Sequence, residues 1–90
     1  MLGRRLPHTV RIGRGYKVLV RMISPKQMQR MAGDTATLGL WDATLPTRGR
    51  PHDGVIGKIY VRNDLEDKDR WRIYWHELLH CIHDVQEWDT

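Results

Sequence analysis

The chain has 90 residues, of which 40% are hydrophobic and 29% charged, and its formal net charge is +4. This length allows one small domain, whose thin core must draw on the four Trp because the chain has no Phe. A single cysteine excludes an internal disulfide framework, and no apolar run approaches the roughly 20 residues of a membrane span. No apolar segment of a secretory signal follows the basic N-terminus, so we expect a cytoplasmic protein without membrane contact.

Charge is unevenly distributed along the chain. Residues 1–33 hold eight basic side chains and no acidic one, whereas residues 34–90 carry a net charge of −4. Such a segment favours contact with nucleic acid, which would be non-specific and salt-dependent because it rests on neutralised phosphates. The alternative is a solvated strand face with a frayed N-terminus. Only Tyr16 could stack on a base there, so nucleic-acid contact ranks as an accompanying activity.

The first third of the chain predicts a flexible leader, a strand and a short helix. Residues 1–15 mix glycines and a proline with basic residues, so we expect a basic flexible leader there, with room for one short extended piece, and a single domain over 16–90. The β-branched run 16–23 predicts a strand. Ser24, followed by Pro25 and by Gln27 three positions on, is a capping-box pattern that predicts a short helix near 25–31.

Two further strands and one long helix are predicted after that. Residues 35–41 and 55–62 have the composition of strands, separated by a turn-rich loop over 42–54. From about Asp67 to the end, the pattern is that of one helix. The predicted fold class is therefore α+β: a small three-stranded, mostly antiparallel sheet packed on one long C-terminal helix, plus the short helix.

The long helix separates apolar from polar residues at about 100° per residue. Its expected core face holds Trp71, Tyr74, Trp75, Leu78, Ile82 and Val85, with Leu79 at the margin. The opposite face holds His76, His80, Asp84 and Glu87, with Ile73 as its one apolar member. Cys81 is expected to be a small buried residue. One face can pack on the sheet while the other presents titratable groups.

The sequence His76-Glu77-Leu78-Leu79-His80 is an HExxH motif on this helix. Residues four apart lie on one helix face, about 6 Å apart along the axis, so two imidazoles can bind one Zn²⁺. Glu77 would lie beside the metal as general base for zinc-activated water and later as general acid. The alternative is a helix with two ordinary surface histidines.

The segment His76–Asp84 resembles the active-site helix of zincin metallopeptidases. The upstream segments Gly39–Asp42 and Gly57–Leu65 resemble small ImmA/IrrE-type peptidases of phages and mobile elements. This resemblance covers about residues 38–84 and implies a zinc-dependent peptidase, active in the host cytoplasm if phage-encoded. It also implies that the strand 55–62 pairs with substrate backbone, and that the substrate is a protein such as a DNA-bound regulator.

The third zinc ligand is open at the sequence level. Asp84 lies on the right face but roughly 9 Å along the axis from the expected metal, so it suits a supporting or surface role. Our choice is Glu87, which requires the helix to break after His83. The remaining candidates are Asp89, which requires the same helix break, and Asp42, His52 and Asp53 in the preceding loop.

Several other side chains have a functional and a structural interpretation. Tyr74 and Tyr60 could donate to a developing oxyanion, but core packing is the expectation for both. His83 could contact substrate or metal, with an exposed histidine as the alternative. At the level of the whole protein, the alternative to a peptidase is a catalytically inactive zincin-like metal-binding or protein-interaction module. Monomer and homodimer stay open.

Overall fold

A computed structural model describes residues 5–13, 15–34, 36–43 and 54–88. They form one four-stranded sheet and two helices. The elements in chain order are β1 Thr9–Gly13, β2 Tyr16–Ile23, α1 Pro25–Ala32, β3 Gly39–Ala43, β4 Val55–Arg62 and α2 Asp67–Trp88. Within these ranges, no helix is both long enough and apolar enough to span a membrane.

The sheet is mixed rather than antiparallel, and it has four strands rather than the predicted three. The strand order is β1-β2-β4-β3, in which β2 and β4 run parallel while the two outer pairs are antiparallel. Strand composition predicts the strands, but it does not show which strands are neighbours. The chain returns through α1 and β3 before β4 enters the middle of the sheet, where both of its edges are paired. The coarse α+β class is confirmed and the sheet topology is corrected.

The fourth strand, which the predicted sheet did not include, lies inside the expected leader, where one short extended piece was allowed. Residues 9–13 alternate between exposed and half-buried positions, and they pair with β2 through contacts such as Val10 with Val18. Gly13 and Gly15 have positive φ angles of 93° and 79° where the chain turns into β2. The alternation Thr-Val-Arg-Ile before two nearby glycines was a hairpin signal. This part of the leader therefore belongs to the sheet.

The short helix is confirmed, and the strand after it begins later than predicted. In α1 the Ser24 hydroxyl accepts from Gln27 N at 3.2 Å and the Gln27 side chain accepts from Ser24 N, which completes the capping box. The predicted strand over 35–41 is replaced by β3, which starts at Gly39. The Asp34 carboxylate accepts from the backbone N–H groups of Ala36 and Thr37, and these bonds hold a turn there instead.

The core lies between the sheet and α2, on a slightly different helix face from the one predicted. Tyr74, Leu78, Cys81 and Val85 are buried against sheet residues that include Val18, Val20, Ile59 and Val61. Burial of Cys81 is confirmed. Three residues assigned to the core face are exposed instead: Trp75 by 54%, Leu79 by 65% and Ile82 by 37%. The helix is rotated toward its Cys81 side, because glycine at position 39 lets β3 approach Ile73 and Glu77.

Candidate metal centre

The two histidines of the HExxH motif converge on the exposed side of α2. The Nε2 atoms of His76 and His80 are 3.1 Å apart, and the ring centroids are 4.6 Å apart with an angle of 83° between the ring planes. The helix supplies this arrangement, because residues four apart lie one above the other on one face. Two potential metal-ligating nitrogens therefore face the same point in solvent.

This separation suits a zinc ion. Tetrahedral zinc binds histidine nitrogens at about 2.0–2.1 Å, which sets two such ligands roughly 3.3 Å apart. The observed 3.1 Å is close to that value. It also suits a direct N–H···N hydrogen bond between two neutral rings of complementary tautomers. The distance is therefore compatible with a bound zinc ion and also with a hydrogen bond between the two histidines.

Glu77 lies between α2 and β3 and is half-buried. A Cβ atom on Gly39 would lie 3.1 Å from Glu77 Cγ and 3.3 Å from its Oε2, and it would collide with the Ile73 side chain. The missing side chain of Gly39 therefore makes the space in which Glu77 lies. The motif predicted Glu77 as a site residue but gave no indication of Gly39. The signal that could have identified Gly39 was a glycine within a predicted strand, which often marks the close approach of another element.

Asp84 is held by a contact that the sequence did not predict. Trp41 on β3 donates from Nε1 to Asp84 Oδ2 at 2.8 Å. The Trp41 ring packs on Gly57 of β4, where a Cβ atom would lie 2.5 Å from its Cη2. Asp84 is half-buried. It acts as an anchor between α2 and β3.

Glu87 is not brought to the histidine pair. α2 continues without a break to Trp88, so the helix break that Glu87 required after His83 does not occur. Glu87 Oε1 instead lies 3.8 Å from His83 Nδ1. Within the described ranges, the one group of three potential metal ligands with atoms within 4.8 Å of one another is His83, Asp84 and Glu87. It contains neither His76 nor His80.

Three other candidates lie away from the histidine pair. Asp42 and Tyr60 alternate with Trp41 and Ile59, which face α2, so they point to the opposite face of the sheet. Tyr74 is 3% exposed, which confirms core packing, and burial raises the pKa of its hydroxyl. The candidates His52, Asp53 and Asp89 lie outside the described residues.

The sheet edge beside the motif is β3. The resemblance implied that β4 pairs with substrate, but β4 has β2 on one side and β3 on the other. β3 pairs only with β4 among the described strands, and it contacts α2. The edge available for pairing is therefore β3.

Cys81 follows His80 directly but faces the core. It is fully buried, and burial, with a smaller contribution from the Asp84 charge, raises the pKa of its thiol to about 12. A protonated thiol on the core side of the helix is a poor metal ligand. Cys81 therefore belongs to the packing of α2 on the sheet.

Comparison of this chain with protein-family models, with curated proteins and with solved structures gives no match, so the residues of the site carry the functional argument.

Proposed function

We propose that the chain is a zinc-dependent metallopeptidase in which His76 and His80 bind the metal and Glu77 is the general base. The observation that carries this proposal is the 3.1 Å separation of the two Nε2 atoms on a helix that also holds Glu77 against β3. Two surface histidines without a role would not require Glu77 between them or the space that Gly39 leaves for Glu77. The same three residues form the HExxH motif, whose spacing on a helix produces this geometry.

Each residue has a defined task in this proposal. A zinc ion bound by the histidines would polarise a peptide carbonyl and lower the pKa of a bound water molecule. Glu77 accepts a proton from the attacking water and donates it to the leaving amine. Its position in the space beside Gly39 limits the motion of its carboxylate, which keeps the proton acceptor in place.

The substrate of this proposal is an extended peptide segment of a protein. Among the described strands β3 pairs on one side only, so its other edge offers backbone groups for strand addition, and β3 runs beside α2. A peptide paired there would pass the helix that carries the motif. β3 therefore takes the role that the resemblance gave to β4. A DNA-bound regulator is the specific substrate that the resemblance implies.

The third metal ligand is proposed to come from the segment before β4. Along an unbroken helix, Glu87 lies roughly 13 Å along the axis from the midpoint of the two histidines, which is too far for its side chain. His52 and Asp53 immediately precede β4 in the sequence. Replacement of His52 and Asp53 one at a time by Ala should identify the ligand through a loss of zinc affinity.

The test compares Glu77→Gln with matched variants. Zinc content is measured on purified protein, and cleavage of a denatured protein mixture is followed by labelling of new N-termini and mass spectrometry. Glu77→Gln should keep zinc and lose cleavage, because an amide cannot accept the proton. His76→Ala and His80→Ala should lose both. Glu87→Gln makes the same chemical change elsewhere on the helix and should preserve both zinc content and cleavage. Equal cleavage by the parent and Glu77→Gln would overturn the role of Glu77.

The second candidate function is a zincin-like metal-binding module that recognises another protein without cleaving it. The exposed apolar residues Trp75, Leu79 and Ile82 favour it, because they form a stripe along α2 next to the histidines. A parent protein that binds zinc tightly and cleaves nothing in the digest would select this function over the first.

A further inference from the structure

A cleft of about 520 Å³ lies where residues 5–8, the end of β2 and the first turn of α2 meet. Three arginines line it, and no Asp or Glu is among its described lining residues. Its described lining residues are Arg5, Leu6, Pro7, His8, Val20, Arg21, Met22 and Arg70. We propose that this cleft binds an organic phosphate of nucleotide size. The site shares no residue with the HExxH motif and does not depend on the proposed peptidase activity.

Two of the arginines are fixed by backbone carbonyls. Arg21 Nη1 donates to His8 O at 3.2 Å and to Val20 O at 2.9 Å. Arg70 Nη2 donates to Asn63 O at 2.9 Å. These bonds hold the guanidinium groups in place before any ligand arrives, which lowers the entropic cost of binding.

One donor of Arg70 is not used by the fold. Arg70 Nε is buried and has no hydrogen-bond partner within the described part of the chain. An unpaired buried donor on a charged group is costly, and a phosphate bound at the Nη groups of the same guanidinium would offset part of that cost through its charge. Asp67 Oδ1 lies 3.4 Å from Arg70 Nη1, so it offsets part of the charge from outside the cleft.

The size and walls of the cleft indicate the rest of the ligand. Three guanidinium groups suit a phosphate dianion better than a single carboxylate. The volume falls in the range of small-molecule sites and far exceeds a bare phosphate. Leu6, Pro7, Val20 and Met22 supply apolar walls, and Met22 is 43% exposed. A base or another planar apolar group would cover these walls while its phosphate contacts the arginines.

The ligand is tested by titration calorimetry with adenosine monophosphate, adenosine and inorganic phosphate. Adenosine monophosphate should bind at least tenfold tighter than either of the other two. Equal binding of adenosine would overturn the phosphate contact, and equal binding of inorganic phosphate would overturn the organic part of the proposal. A short oligonucleotide with and without a 5′-phosphate distinguishes the source: tighter binding than the mononucleotide that requires the 5′-phosphate identifies a strand terminus, and weaker binding identifies a free nucleotide. Tighter binding that does not require the 5′-phosphate would overturn the site in favour of non-specific backbone contact.

The residues are tested with Arg5→Gln, Arg21→Lys and the control Arg30→Gln. Arg5 is exposed, so its variant should keep the parent urea midpoint. Arg21→Lys keeps the charge but loses the planar fork. Both should weaken binding of adenosine monophosphate about tenfold. Arg30→Gln removes one exposed charge from α1 and should change it less than twofold. An equal loss in Arg30→Gln and Arg5→Gln would overturn the site.

Discussion

Trp41 and Asp84 are 43 positions apart in the chain, yet the indole N–H of one donates to the carboxylate of the other at 2.8 Å. This hydrogen bond joins the edge strand β3 to the last two turns of α2. Gly57 leaves room for the indole ring, and Gly39 leaves room for Glu77 on the same strand–helix interface. The position of β3 relative to the HExxH helix therefore depends on two glycines and one hydrogen bond.

The Trp41–Asp84 bond should contribute about 1 kcal/mol to stability. A double-mutant cycle of Trp41→Phe and Asp84→Ala, measured by urea unfolding, separates this coupling from the smaller volume of Phe. The two changes should be non-additive by about that amount. Additive losses would show that the hydrogen bond makes no net contribution.

Gly39→Ala should destabilise the fold by about 1–3 kcal/mol, because its methyl group collides with Ile73. It should also reduce cleavage, since Glu77 must move, while zinc binding by the histidines persists. The double variant Gly39→Ala/Ile73→Ala removes the collision. Adding Gly39→Ala to Ile73→Ala should therefore lower the stability less than adding it to the wild type. Thermal melting with zinc titration checks both effects. A Gly39→Ala protein of parental stability would contradict the close approach.

Zinc should stabilise the folded chain, because an unfolded chain has no assembled site. At a free zinc concentration 100 times the Kd, the gain is about 2.7 kcal/mol. A chelator should therefore lower the Tm of the parent and leave that of His80→Ala unchanged. His83→Ala serves as the matched control, since His83 is exposed on the same helix. An identical Tm with and without chelator in the parent would refute the metal site.

Stability should fall at alkaline pH through Cys81. The folded thiol has a pKa of about 12 against an ordinary value of 9.0. Below pH 9 both states keep the proton, so the thiol adds no pH dependence there. Above pH 9 the unfolded chain loses the proton and the folded chain does not, which favours unfolding by up to about 1.4 kcal/mol per pH unit.

The measurement is urea unfolding between pH 9 and pH 10, where Tyr74 adds a smaller loss in the same direction through its raised pKa. Cys81→Ala should lose most of the slope while keeping its own lower baseline. A slope of parental size in Cys81→Ala would assign the alkaline loss to another group.

The local features of this protein could be predicted from sequence, whereas its long-range contacts could not. The Ser24 capping box and the HExxH spacing depend on neighbours within one or two helical turns, and both were found. The parallel pairing of β2 with β4 depends on how the chain returns between them, which strand composition does not record. The exposure of Trp75 and Leu79 follows from the rotation of α2, and this rotation depends on the close approach of Gly39.

The central position of β4 has a consequence for the order of folding. β1 and β2 are joined by a short turn, and an isolated hairpin of this kind forms in about 1–10 μs. β4 can join β2 only after the intervening residues 24–54 close into a loop, and non-local pairing of this type is slow. Until β4 arrives, α2 has no complete surface to cover. We therefore expect the hairpin to form early and the docking of β4 with α2 to limit the folding rate.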